Sequence, residues 1–332
     1  MSHSNSSLNC FTNCMAKYWH TYINHTPPCK PPSPHLTFGT MAHEVLYKAG
    51  ELRDISTVAS ALDYDTVIPS EVLYSDLKET FGIRSWANYF TSVIKEVAKY
   101  EHNCITELAA SKEKVEIYRE LKLQLSVEEL KGLGYNISQP LVGVIDLLLI
   151  TKDSAIILDY KFSTTKKTQA DFDMNSQLPL YAWFVHWRYD IPLQNIQVGY
   201  IDIPKTEFCS PTVLTNGTLS RAKSQNTSQE LYKMAVYTVH GDDPYYNCEP
   251  GGYYYDCYCS LALNKPAYIN KQYLDFDVYS GIISDIMDTA VMVDKMIANN
   301  DKFLHKYDSY SCSACEYLPY CKPWLKATFG KE

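Results

Sequence analysis

The sequence predicts a mixed α/β fold, and three periodic patterns along the chain support that prediction. Between about 41 and 110 the apolar residues follow a helical repeat, as in the stretch ANYFTSVIKEVAKY. Between about 115 and 205 the pattern becomes that of strands, with one helix at QLPLYAWFVHWRY. A second apolar stripe, from Ile283 to Ile297, predicts a long amphipathic helix against the core. This order of elements favours a mixed sheet flanked by helices.

We expect the 332 residues to form a single domain, because 46% hydrophobic content is sufficient for one sizeable core. Composition divides this domain into five segments. They are an N-terminal cysteine segment (1–40), a helical region (41–114), an α/β core (115–205), an insertion rich in tyrosine and cysteine (206–275), and a C-terminal helix with a cysteine cluster (276–332).

Charge and apolar content narrow the class of protein. A formal charge of -8 argues against a protein that coats nucleic acid by bulk electrostatics, although a basic groove on an acidic body is compatible with it. Lys161, Lys166 and Lys167 cluster after the predicted hairpin and suit such a groove, or a solvated turn. No uncharged apolar run is long enough to cross a membrane, so no membrane partner is expected.

Cysteine content and the N-terminus predict an intracellular protein, cytoplasmic or nucleoid-associated. The N-terminus lacks the basic and apolar regions of a secretory signal. Eleven cysteines without such a signal do not suggest a disulfide framework. Closely spaced cysteines then point to a bound metal.

The stretch GVIDLLLITKDSAIILDYKF, residues 143–162, places three charges in what is otherwise a buried hairpin. Asp159 and Lys161 are two apart and share one face, and antiparallel pairing across the TKDS turn can bring Asp146 beside them. Converging carboxylates suit Mg²⁺ or Mn²⁺. The alternative is a buried Asp–Lys ion pair that closes the sheet without a metal.

Four motifs in this chain resemble those of a known family. The segments GVID and ILDYK in the hairpin resemble the signature of the PD-(D/E)XK nuclease superfamily. The later QLPLY resembles the QxxxY motif of its RecB-like branch, and GTMAH, at 39–43, resembles the histidine motif of that branch. The resemblance implies a restriction-endonuclease-like fold, a mixed sheet core flanked by helices.

The resemblance also implies roles for individual residues. Asp146 and Asp159 would be metal ligands, together with the backbone carbonyl of Tyr160 and the imidazole of His43. Lys161 would position or activate the attacking water.

Three further residues have roles implied by the same resemblance. Gln177 and Tyr181, at i and i+4 on one helix face, would touch the nucleic-acid strand near the scissile bond. Glu120 would be the acidic residue that some members carry on the preceding strand. Glu116 fits nearly as well from the sequence alone.

The C-terminal cysteines suggest a metal centre of a second kind. Cys312, Cys315 and Cys321 supply three thiols, and zinc and iron–sulfur centres both take four ligands. An iron–sulfur subgroup of the RecB-like branch includes AddB-type helicase–nucleases and CRISPR adaptation nucleases. There one N-terminal cysteine joins three C-terminal ones around a 4Fe-4S cluster. The segment FTNCMAKYW resembles that N-terminal segment and favours Cys14 over Cys10. Zinc is the alternative, with Cys248, Cys257 and Cys259 as extra thiols or as a separate site. The interpretation favoured for these three is that they are free thiols of the insertion.

These residues together predict a metal-dependent DNA nuclease, acting as an exonuclease on single strands or duplex ends. The expected settings are DNA repair, recombination or the processing of mobile-element DNA. No GxxxxGK[ST] motif occurs, so helicase activity would belong to a helicase or recombination partner. Two other classes are compatible with the sequence: a catalytically idle nucleic-acid-binding module, and a zinc-stapled interaction protein that works through its tyrosine-rich insertion.

Overall fold

A six-stranded mixed sheet lies at the centre of the computed structural model. The predicted mixed α/β fold, a sheet flanked by helices, is therefore confirmed. Lys166 and Lys167 of the predicted basic cluster lie outside the described residues. The structure describes residues 1–52, 75–110, 114–163, 168–306 and 308–322.

Strands that are hydrogen-bonded neighbours follow the order β1-β3-β4-β5-β6 across the sheet, and β2 pairs with the other edge of β3. The pairs β1–β3 and β4–β5 are parallel, and the remaining pairs are antiparallel. The strand bounds are β1 His3–Ser4, β2 Glu116–Leu125, β3 Leu141–Ile150, β4 Ala155–Ser163, β5 Ile196–Pro204 and β6 Tyr268–Tyr273.

Helices flank the sheet on both faces. The two longest helices, α5 (Trp86–Ala109) and α11 (Phe276–Ala298), are the amphipathic helices that the sequence predicts. The helix bounds are α1 Asn5–Asn13, α2 Met15–Tyr18, α3 Pro34–Leu52, α4 Ser75–Phe81, α5 Trp86–Ala109, α6 Val127–Gly132, α7 Gln169–Asp173, α8 Gln177–Tyr189, α9 Gln229–His240, α10 Tyr255–Ser260, α11 Phe276–Ala298 and α12 Ser309–Ala314.

The sheet separates two apolar layers. On the first face it packs against α1, α8 and α11, and on the second face against α3 and α5. Along β4 the buried side chains alternate between these layers, with Ala155 and Ile157 on the first face and Ile156 and Leu158 on the second. A strand that is apolar on both faces is what a sheet covered by helices on both sides requires.

The hairpin strands β3 and β4 pair over only part of their length. Their antiparallel register runs from Ile150–Ala155 to Leu147–Leu158 and ends there. Beyond that point β4 continues along β5, while the freed edge of β3 pairs with β1. Asp146 and Asp159 are the first residues after the paired region, so they lie where the two strands separate.

The alternation of side chains shifts by one residue in both β2 and β3. Tyr118 and Leu121, three apart, both pack on the first layer, and so do Ile145 and Leu148. Strict alternation would place the members of each pair on opposite faces. The shift in β2 falls at Glu120, whose φ of 48° lies in the left-handed region that non-glycine residues rarely adopt.

The two ends of the chain are in contact. The backbone N–H of Ala16 donates to the carbonyl of Leu304, and the Lys17 ammonium lies 3.1 Å from the Glu316 carboxylate. Nearer the N-terminus, the fully buried imidazole of His3 lies 2.9 Å from Asp294 of α11. These contacts anchor the N-terminal segment on the last helices of the chain.

Residues 206–275, predicted as an insertion, contribute to two structures. Residues 268–273 form β6 and extend the central sheet, a strand that the sequence analysis did not predict. The preceding part has a small core of its own. Its buried members are Leu219, Tyr232, Val236, Cys248, Tyr254, Cys257 and Leu261.

The described ranges contain several long helices. No helix there combines the length and the hydropathy that a bilayer crossing needs.

Candidate metal centre

Side chains from both layers meet in the gap between β3 and β4. His43 reaches it from α3 on the second face, and Gln177 reaches it from the start of α8 on the first face. The strands themselves supply Asp146, Asp159 and Lys161. Because the sheet is open at this point, groups on opposite faces of it can approach one another.

Three possible metal ligands converge at the second face. One ligand atom each of His43, Glu120 and Asp146 lies within 4.8 Å of the other two. The Nδ1 atom of His43 is 3.4 Å from Asp146 Oδ2 and 3.7 Å from Glu120 Oε1. In addition, Asp146 Oδ2 accepts a hydrogen bond of 2.7 Å from the backbone N–H of Tyr160. This hydrogen bond joins the Asp146 carboxylate of β3 to the backbone of β4 at the point where the two strands separate.

The left-handed backbone of Glu120 explains how its carboxylate reaches this group. Arg119 pairs with Leu147 and Leu121 with Ile145, so Glu120 lies opposite Asp146 in the register. The shift in the alternation of side chains in β2 and β3 turns Glu120 and Asp146 towards α3. The rival position, Glu116, is at the start of β2 opposite Ile150, where its carboxylate accepts a hydrogen bond from Tyr118. The structure therefore places Glu120, and not Glu116, beside His43.

A second chain of contacts runs from Asp159 to α8. The Lys161 ammonium is 2.6 Å from Asp159 Oδ2 and donates a 3.0 Å hydrogen bond to Gln177 Oε1. The Gln177 amide in turn donates to the hydroxyl of Tyr181 at 2.7 Å. Tyr181 is only 6% exposed, so its ring lies behind Gln177 and not at the surface. Gln177 therefore fixes the position of the lysine.

Gly143 allows the Tyr181 ring to approach β3 closely. A Cβ atom at this position would lie 3.0 Å from Tyr181 Cε1 and 2.9 Å from Phe184 Cε2. Contacts this short force neighbouring groups to move. The glycine in GVID is therefore required by the packing of α8 on the sheet.

Burial and mutual repulsion set the protonation of the two aspartates. Burial, followed by the charge of Asp159, raises the pKa of Asp146 to about 8. Burial also raises the pKa of Asp159, and the adjacent Lys161 only partly offsets it. Burial lowers the pKa of His43, but the neighbouring carboxylates of Glu120, Asp146 and Asp159 outweigh it, so the net shift is upward. Such a cluster favours a bound cation.

Sequence reasoning missed a buried ion pair behind this site. Arg119 donates to Glu101 of α5 at 2.7 Å, and both side chains are buried. The hydroxyl of Tyr160 also donates to Glu101, at 3.3 Å. Gly50 of α3 makes room for the pair, because a Cβ there would overlap the Arg119 guanidinium. A lone arginine in a strand and a lone glutamate in a helix give no local pattern from which this pair could be found.

The four cysteines of the predicted cluster lie where the chain ends meet. Cys14 separates α1 from α2, and the other three are in and after α12. Burial raises the pKa of Cys321 to about 11, and the charges of Cys315, Cys14 and Cys312 add to this rise, so the thiols are near neighbours. No three of these sulfurs lie within 4.8 Å of one another.

The fold and its site define a class. A mixed sheet whose central hairpin separates at two buried carboxylates, with a third carboxylate, an imidazole and a lysine beside them, is an α/β protein with a candidate divalent-metal centre. The chain belongs to the PD-(D/E)XK nuclease superfamily, whose family profile matches residues 2–322. The resemblance found in the sequence is thereby confirmed at the level of the superfamily.

Curated proteins and solved structures give two further comparisons for this chain. No curated protein matches the chain. Among solved structures, a chain titled "Crystal structure of SSO0001" is 11% identical, with 87% of this chain and 97% of that chain covered and a TM-score of 0.26.

The raised pKa of Asp146 predicts a pH-dependent stability of the metal-free protein. Between the ordinary pKa of 3.8 and about 8, the folded chain keeps a proton that the unfolded chain has released. Stability should therefore fall as pH rises through this range. We expect the melting temperature in chelator to drop between about pH 5 and pH 8.

Asp146→Asn is the matched control, because it preserves the acceptor for Tyr160 without the charge. Its melting temperature should change less over the same range. An equal slope in both proteins would show that Asp146 is not the responsible group.

The left-handed φ of Glu120 predicts a difference between two substitutions that both remove its carboxylate. Glu120→Gly relieves the backbone strain and Glu120→Ala retains it. The glycine variant should be more stable by about 1 kcal/mol, measured by urea denaturation. Equal stability of the two variants would contradict a strained backbone at this position.

Proposed function

We propose that this chain is a metal-dependent nuclease that hydrolyses phosphodiester bonds in DNA. The observation that carries the proposal is the meeting of His43, Glu120 and Asp146 beside the Asp159–Lys161 pair. Superfamily membership gives the class of reaction, and this arrangement supplies the groups that such a reaction needs.

The donor set fits Mg²⁺ or Mn²⁺. Carboxylate oxygens are the ligands that both ions prefer, and an imidazole nitrogen is also a ligand for transition metals. We assign Asp146, Glu120 and His43 as ligands, with Asp159 and the Tyr160 carbonyl completing the set across the gap. A bound ion would polarise the phosphoryl group and lower the pKa of a coordinated water.

Lys161 is proposed to orient the attacking water and to offset charge on the phosphate. Its ammonium is held from two sides, by Asp159 and by Gln177, so little ordering is needed when substrate binds. Contact of Gln177 and Tyr181 with the nucleic-acid strand stays a prediction. The contacts described above support a positioning role for Gln177, with Tyr181 holding the Gln177 amide from behind.

We further propose membership of the RecB-like branch, with a 4Fe-4S cluster on Cys14, Cys312, Cys315 and Cys321. The proximity of the four thiols at the contact between the chain ends supports this proposal. Zinc bound by the same four thiols is the alternative.

The finer activity is proposed on the motif resemblance alone. It is an exonuclease on single strands or duplex ends, with a helicase or recombination partner, in repair, recombination or mobile-element processing. The rival function is an idle module that binds DNA without cutting it. The intact Asp159–Lys161 pair favours the enzyme, because binding alone does not require a buried lysine–carboxylate pair beside a metal site.

The test is Mn²⁺-dependent digestion of single-stranded DNA labelled at either end, by the unaltered protein and by Lys161→Met. The substitution keeps the apolar stem and removes the ammonium. We expect the rate to fall at least about a hundredfold, because the water is no longer oriented. The end from which label is lost first gives the polarity.

Lys131→Met, at an exposed position on α6, is the matched control and should digest DNA normally. Tight binding without digestion by the unaltered protein would favour the idle module. Digestion by Lys161→Met at the normal rate would remove Lys161 from the mechanism.

The cluster predicts a brown protein when it is purified without oxygen. Cys321→Ser should lose the visible absorbance and most of the iron and sulfide, because a cluster needs its fourth thiolate. Cys259→Ser, an exposed cysteine of the insertion, should keep both. A colourless preparation that contains zinc and no iron would support the zinc alternative.

A further inference from the structure

A cavity of about 500 Å³ adjoins the candidate metal centre. His43 and Glu120 line it near the metal centre, and His35 and Leu36, in the first turn of α3, also line it. His35 and His43 are eight residues apart on this helix, which corresponds to about 12 Å along its axis. The cavity therefore connects the metal centre to the N-terminal end of α3.

A buried ammonium lies beside this end of the cavity. Lys205, which follows β5, is only 6% exposed. Its Nζ atom is 5.3 Å and 5.2 Å from the ring centroids of Phe38 and Phe81, and 3.2 Å from His35 Nδ1. Within the described ranges, no carboxylate forms an ion pair with it. Burial lowers the pKa of Lys205, with no carboxylate to offset it.

A buried charge without an opposite charge is costly. The acidic residue closest to it in the sequence, Glu207, is committed elsewhere. Its carboxylate accepts hydrogen bonds from the backbone N–H groups of Arg84 and Ser85 at the start of α5. Among the described residues the Lys205 charge is thus not offset by a carboxylate, and it attracts an anion that reaches this end of the cavity.

The Lys205 ammonium also determines which nitrogen of His35 carries a proton. An ammonium has donors and no acceptor, so His35 Nδ1 must accept the hydrogen bond between them. The proton of the neutral ring is then on Nε2, which becomes a donor. Because the His35 side chain is exposed and lines the cavity, this donor is available to a ligand.

We propose that His35, backed by Lys205, binds a backbone phosphate of the nucleic-acid strand whose scissile phosphate lies at the metal centre. This inference rests on the proposed nuclease function and adds to it a second phosphate site. His35 contacts the phosphate, and Lys205 is a positioning residue that fixes the His35 tautomer and contributes positive charge. The positive end of the α3 dipole adds to the attraction.

The test compares His35→Phe and Lys205→Met in the Lys161→Met background, so that the strand is bound without being cut. The phenyl ring keeps the edge contact with Phe81, and the methionine keeps the apolar stem in the aromatic cage. Lys131→Met in the same background is the matched control. Fluorescence anisotropy of a labelled single-stranded oligonucleotide in Mn²⁺ gives Kd over a series of salt concentrations.

Each of the two variants should raise Kd about tenfold at low salt, the loss expected for one charge-assisted hydrogen bond. Lys205→Met removes a positive charge, so the slope of log affinity against log salt should become shallower by about 0.7, as expected for one lost cationic contact on a single strand. His35→Phe removes a neutral donor and should alter this slope less. The double variant should bind no more weakly than the weaker single variant, because Lys205 acts through His35. The control should retain both the affinity and the slope.

A purely structural role would change the melting temperature and leave the salt slope unaltered, and that result would overturn the inference. His35→Phe keeps the test informative if Lys205→Met folds poorly, since His35 is at the surface. Digestion by the unaltered protein together with unchanged slopes in both variants would reject the phosphate site alone. If the unaltered protein neither binds nor digests DNA, the proposed function is rejected, and this site is rejected with it.

Discussion

The burial of two carboxylates in the gap between β3 and β4 is the constraint on which the surrounding structure depends. Asp146 and Asp159 are 7% and 1% exposed, in a sheet that helices cover on both faces. Two such charges repel each other and lose their hydration, so the fold must supply cations and donors. Lys161 comes from the same strand as Asp159, and His43 is brought in by the helix on the second face. The positions of α3 and α8 on the sheet therefore matter for charge as well as for packing.

The need to hold partners beside these buried charges also constrains residues outside the gap. Lys161 is held by Gln177, and Tyr181 fits behind Gln177 only because Gly143 has no side chain. On the opposite face, Arg119 and Glu101 neutralise each other directly behind the site. Lys161 and Gln177 are thus each fixed by a neighbour that is itself packed, which is the arrangement that a preorganised site requires.

The hairpin, helix α8 and the mixed sheet could be predicted from the sequence, because each shows a local periodicity of apolar residues. The register that sets Asp146 near Asp159 also follows from the short TKDS turn. Other features depend on contacts between distant parts of the chain. Glu120 could not be separated from Glu116, because only a left-handed backbone turns its side chain towards α3. β1 is two residues long, too short for any periodic signal, and β6 is hidden in a segment of unusual composition.

The contact between the chain ends has a consequence for how the protein folds during synthesis. β1 pairs with β3, and His3 is held by Asp294, a residue made almost 300 positions later. The N-terminal segment therefore has its full set of contacts only when α11 is in place, although β3 and α8 already contact it. Contacts over such sequence separation carry a high entropic cost of loop closure and form late. We therefore expect the contact between His3 and Asp294 to complete the placement of the N-terminal segment.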